Sequence, residues 1–178
     1  MYQDVLSFWF EEIDRSLWWT KDNAFDQTII KRFGDIHKKA VCCELFEWRS
    51  SSQGRLAEII VLDQFSRNMY RDTALSFAND PMALALAQEA ITVGADQELD
   101  AVQRSFLYMP FMHSESLAIH EYAEKLFRDH GSQNNLDFEL KHKRIIERFG
   151  RYPHRNKILG RKSTPEEAAF LQEPGSSF

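Results

Sequence analysis

The sequence predicts an all-α protein built from antiparallel helix pairs. Three observations point there. Glycine (7) and proline (5) are scarce in 178 residues, β-branched residues are sparse, and apolar residues recur at spacings of three and four. Few breakers mean few turns and long elements. Hydrophobic residues make up 43% and charged residues 28%, an ordinary soluble composition, and the length fits one helical domain over residues 1–178. Fourteen Phe and four Trp supply much of the area to be buried.

The elements follow in order. Asp4–Glu12 reads as a short amphipathic helix with Val5, Phe8 and Trp9 on one side. Asp22–Cys43 carries the stripe Phe25, Ile29, Phe33, Ile36 and Ala40. Arg55–Arg71 is apolar nearly all round ("LAEIIVLDQF"), the mark of a central, buried helix. A helix opens at Pro81 after Asp80 and closes near Gly94. Two more are expected at Asp100–Met109 and Pro110–Asp129, with Gly131 as the residue that ends the second. Leu136–Phe149 ends at Gly150, and "STPEEAAFL" holds a capping box of Thr164 and Glu167 with Pro165 between them. "SSSQG" and "HGSQNN" read as loops, and Trp18 and Trp19 as packing surface. No strict 34-residue repeat is visible.

Several classes of function are disfavoured. The first residues have neither a basic n-region nor a small-residue cleavage site, and no apolar run reaches the ~20 residues of a membrane span. Cys42 and Cys43 are adjacent, which fits neither a relaxed disulfide nor a zinc motif, so a cytoplasmic protein with reduced thiols is expected. Glycine-rich phosphate loops, nucleophile elbows and HExxH are lacking. "ELKH" at 139–142 matches the Glu-x-x-His of di-iron bundles, but without a second copy no metal and no cofactor is expected.

Charge is concentrated in one segment. Arg148–Lys162, "RFGRYPHRNKILGRK", holds six Lys/Arg and no acid, while the whole chain carries −5, so the remainder carries −5 minus 6, or −11. Nucleic acid usually calls for a broad basic face. One cationic patch on an acidic body suits a small anionic ligand, an acidic peptide or internal carboxylates. Asp63 falls inside the buried helix, with Arg67 and Arg71 one and two turns on. Glu115 falls on the stripe Met112, Glu115, Ile119, Tyr122, Leu126, and His113 and His120 share a helix face at a spacing of seven. Carboxylates at core positions need partners, so the regions 63–71, 113–115 and 151–161 are expected to meet. His154 lies between Arg151 and Arg155, cations that oppose its protonation.

"LDQFSRNMYR", "FLYMPFMHSES", "IIERFGRYPHRNKILGR" and "STPEEAAFL", in this order over nearly the whole chain, resemble the bacterial family catalogued as domain of unknown function 924. The resemblance implies a tetratricopeptide-repeat-like superhelix of helix pairs. It implies no activity. Its motifs contain Asp63, Arg67, Asn68, His113, Glu115, Arg151, His154, Arg155, Asn156 and Arg161, and Ser66 stands where the family pattern would have Pro. Three readings follow for this set together with Arg71. It lines a polar pocket for a small anion or acidic peptide. It serves a metal-independent, hydrolase-like enzyme with His113 or His154 as base. Or it is a structural salt-bridge network. Oligomeric state is not legible.

Overall fold

The computed structural model describes residues 1–177. It is 73% helical, against about one-third for an average soluble protein, and no strand occurs among the described residues. Helix α1 (Tyr2–Ser7) continues into a π-helical stretch, Phe8–Glu12, and α2 spans Asn23–Val41. Next come α3 (Ser52–Ile60), a second π-helical stretch (Val61–Phe65) and α4 (Ser66–Met69), which form one unbroken helical run. Then follow α5 (Asp80–Thr92), α6 (Ala101–Met112), α7 (Leu117–His130), α8 (Gln133–Phe149) and α9 (Pro165–Phe170).

Local chemistry explains the ends. Asp22 and Ser51 accept the first-turn N–H groups of Phe25 and Gly54, at 2.8 and 3.1 Å. Asp100 with Gln103, and Thr164 with Glu167, form capping boxes. Gly150 ends α8 at φ +67°, a conformation costly for any residue with a Cβ.

The run from α3 to α4 is the centre of the molecule, as its all-round apolarity predicts. Leu56, Ile59, Ile60, Val61, Leu62 and Phe65 have no exposed surface. Helix α3 packs against α1, α5 and α6, while α2 packs against the π turn and α4. Trp9, Phe25, Phe33 and Phe106 fill the space around Phe65 and Phe8. The chain α6–α7–α8 packs in series, and the two-residue link between α7 and α8 obliges them to run antiparallel. A small separate core of Ile145, Ile146, Tyr152 and Phe170 fastens the C-terminal segment to α8.

Several expectations are corrected. Helix α6 runs through Pro110 to Met112 instead of restarting there. Proline removes one helical hydrogen bond, but Phe106, Leu107, Tyr108 and Phe111 are buried on every side and hold the helix together. The break falls at His113–Ser116. His113 is therefore the C-cap of α6 while His120 belongs to α7, so they share no helix face. Glu115 sits in the connection, off the helical stripe, with its side chain 25% exposed.

Gly131 is not left-handed, at φ −93°. A Cβ there would stand 2.6 Å from the Phe127 carbonyl oxygen, which is reason enough for glycine. Most of "SSSQG" is the cap and first turn of α3, and "QNN" opens α8, because serine caps turn these polar stretches into helix starts. Trp18 packs as expected, but Trp19 is 68% exposed, with one face on Phe106. Cys42 and Cys43 are free and exposed where α2 ends. No helix among the described residues is long and apolar enough to cross a membrane.

Two glycines in helices give opposite expectations. A Cβ on Gly54 would lie 2.0 Å from the Trp48 carbonyl oxygen, whereas one on Gly34 meets nothing. Gly54→Ala is expected to cost about 1–3 kcal/mol by overpacking. Gly34→Ala is expected to add about 0.5–1 kcal/mol through helix propensity. Urea midpoints of the two variants check both signs.

Candidate functional site

Asp63 lies in the π turn Val61–Phe65 with no exposed surface. Such turns recur at functional sites. An ionised carboxylate only accepts, and Asp63 is supplied from three sides. Its Oδ1 accepts from His113 Nδ1–H at 2.7 Å and Arg67 Nη1 at 3.0 Å, and its Oδ2 accepts from Gln64 Nε2 at 2.5 Å. Burial alone would push its pKa up. Arg67, then His113, more than reverse this and hold the carboxyl far below the ordinary range.

Arg67 carries the chain onward. Its fork donates to both oxygens of Asp80, at 2.9 and 3.0 Å. Asp80 opens α5, where the helix dipole favours an anion. Asp80 Oδ2 also meets Arg155 Nη1, at a loose 3.4 Å. The order is therefore His113, Asp63, Arg67, Asp80, Arg155, from the end of α6 to the C-terminal segment.

Arg155 is the weakly held member. It is only 7% exposed, and its guanidinium lies over Phe77 at 4.5 Å and Tyr152 at 4.6 Å. Its buried Nε has no hydrogen-bond partner among the described residues. Burial, then Arg67, push its pKa below the usual arginine range. Phe77, Asp80, His113, Ser114, Glu115 and Arg155 help to line a cleft of about 360 Å³. His113 lines this cleft with Nδ1 committed to Asp63. Burial, then Arg67, lower the His113 pKa, so its imidazole is neutral near pH 7.

The other arginines of the segment have carboxylate partners. Arg161 forks onto Glu115 at 2.5 and 2.9 Å, and Glu115 also accepts the Tyr152 N–H at 2.7 Å. Arg151 forks onto Glu167 at 2.6 and 2.8 Å, and Arg148 meets Glu166 at 2.9 Å. The regions 63–71, 113–115 and 151–161 thus converge, but as separate networks. Asn68 and Arg71 both grip Asp26 of α2, at 2.6–2.8 Å, and do not line the cleft. Asn156 bonds Ser163 at 3.1 Å. His154 stands beside Tyr152, 5.5 Å between ring centroids, and is absent from the cleft wall. Its pKa falls to about 4, from burial first and Arg155 second.

Sequence reasoning missed Asp80, Phe77 and Tyr152. Asp80 reads as an ordinary first-turn acid before Pro81. Its separation from Arg67 and Arg155 leaves no periodic signal. It also missed the buried pair of His120 Nδ1 and Glu139 Oε1, 2.6 Å apart. The residues of the Glu-x-x-His match diverge: Glu139 faces His120, while His142 Nδ1–H bonds the Phe138 carbonyl at 2.8 Å.

Fold and site together define an all-helical protein in which a buried chain of alternating charges ends at a small cleft. The family model "Bacterial protein of unknown function (DUF924)" matches residues 5–175, and the chain belongs to this family. Among solved structures it is similar to a protein of unknown function from Agrobacterium tumefaciens, ATU0120, with 41% identity, 96% coverage of both chains and a TM-score of 0.91. Comparison with curated proteins gives no match.

Removing the Asp63 carboxylate strands His113 and half of Arg67. Asp63→Ala is expected to lose about 3–5 kcal/mol of unfolding free energy, measured by urea titration. A second expectation concerns pH. Burial lowers the pKa of His142 to about 3 and of His154 to about 4, below the ordinary ~6.5 of an unfolded histidine. Between these limits the unfolded chain binds more protons, so stability is full above ~6.5 and falls as pH drops toward 4. Replacing His142 by Phe should flatten that slope.

Proposed function

We propose that the protein is a binding module whose cleft takes a small anionic ligand, with Arg155 as the anchor. One observation carries this reading. Arg155 is the deeply buried cation of the C-terminal segment that no carboxylate holds with a fork among the described residues: Asp80, its one hydrogen-bond partner there, is already forked by Arg67. A buried guanidinium with unspent donors, sited on a cleft, is what an anionic group would satisfy. Arg148, Arg151 and Arg161, by contrast, suit the structural role, since each has its own glutamate. An acidic peptide end would present the same carboxylate, but a cleft of about 360 Å³ suits a small molecule better. Serial packing of α6, α7 and α8 supports a tetratricopeptide-like superhelix, and two exposed free thiols suit a reducing cytoplasm.

In a thermal-shift assay, phosphate or acetate is expected to raise the melting temperature of the wild type. Ligand at a hundredfold excess over Kd adds about 2.7 kcal/mol by mass action. Arg155→Gln should abolish the shift. No shift with any anion, or a shift that survives in Arg155→Gln, would sink the proposal.

One observation favours an enzyme as second reading. The 2.7 Å bond from His113 to buried Asp63 fixes the tautomer and leaves a neutral Nε2 at the cleft, as a general base requires. His154 lacks that access. If a bound ligand is turned over, His113→Asn should abolish turnover and leave binding within a few-fold.

A further inference from the structure

We infer that the ligand is an amphipathic monocarboxylate, a single carboxylate on a small apolar body; this rests on the anion-binding reading above. The cleft has two kinds of wall. Arg155, His113, Ser114, Asp80 and Glu115 are its polar lining, and the rest is apolar, Ala74, Phe77, Leu84, Pro110 and Leu159 among them. Seven of the twelve lining residues carry no polar side-chain atom, so a bare inorganic ion would leave most of the cleft unused.

Charge sets the valence. Two carboxylates, Asp80 and Glu115, also line the cleft. Arg67 is shared between Asp63 and Asp80 and Arg161 holds Glu115, so with Arg155 three cations stand against three carboxylates and the cluster has no positive charge to spare. A dianion would bring a second negative charge against these carboxylates, with nothing to balance it. A monoanion adds the least charge to a balanced cluster and still meets the loosely held Arg155.

Shape sets the group. Rings cover Arg155 from Phe77 at 4.5 Å and from Tyr152 at 4.6 Å, so new hydrogen bonds must come in the plane of the guanidinium, at its edge. A planar carboxylate meets an arginine edge in this way. Ser114 lines the same cleft, and its hydroxyl is a donor suited to the second carboxylate oxygen.

The test is isothermal titration at pH 7 with acetate, butyrate and hexanoate, alongside hexanamide and inorganic phosphate. Each added methylene is expected to tighten binding about fourfold. Hexanamide should bind at least tenfold more weakly than hexanoate, and phosphate more weakly than hexanoate. Leu159→Ser, at the partly exposed rim, should reduce the gain per methylene and keep acetate affinity within twofold, with an unchanged melting temperature as the check on folding. If phosphate binds through Arg155 and hexanoate is no tighter than acetate, this inference falls and the anion site stands. If no anion binds, both fall. Hexanamide equal to hexanoate would also overturn both, because charge would then play no part.

Discussion

A carboxylate sits in the buried central helical run of the protein, and the arrangement of the polar interior follows from it. Moving an isolated carboxylate out of water costs several kcal/mol or more. Asp63 can stay ionised only if cationic or N–H donors come to it. Arg67, one turn on, supplies charge, and His113, fifty residues away, supplies an imidazole N–H. That requirement fixes the end of α6 against the π turn. Arg67 in turn draws in Asp80, which sets the start of α5. The cleft is what lies beyond these commitments.

The chain of charges does not end as tightly as it begins. At Asp63 every donor distance is 3.0 Å or less, while at Arg155 the one hydrogen bond among the described residues is 3.4 Å. A network built only for stability would end on a satisfied group or on solvent. This one ends on a buried cation packed against two rings, with an unpartnered Nε among the described residues and a cleft beside it. Binding sites commonly hold such groups at a cost in stability, and a ligand removes that cost.

Much of the helical frame was legible in the sequence, because local chemistry writes it. The apolar run around Asp63, the Thr164–Glu167 capping box and Gly150 all act within a few residues. Pro110 misled because proline usually marks a boundary, and only the packing of Phe106–Met112 overrides it. From that one displaced boundary came the errors over Glu115 and the His113–His120 face. The candidate site was half legible. Its residue types stood out, and Asp63, Arg67, His113 and Arg155 are in one network. Asn68 lies in α4 and Arg71 just past its end, yet both turn to Asp26, and nothing local tells which side a side chain beyond a π turn will take. Asp80 stayed hidden because its partners are set by tertiary packing alone.

Whether Arg155 belongs to a site or to a scaffold can be read from stability without knowing the ligand. Replacing it by Met keeps the stem between Phe77 and Tyr152 and leaves Asp80 still forked by Arg67. The direct measurement is the unfolding free energy of Arg155→Met beside Arg67→Met, by urea titration at pH 7 without added anions. A site residue gives Arg155→Met equal to or more stable than wild type, while Arg67→Met loses about 3–5 kcal/mol because it strands two carboxylates. A loss of more than about 2 kcal/mol in Arg155→Met, well above the ±0.5 kcal/mol of a neutral change, would contradict the claim and make Arg155 part of the scaffold.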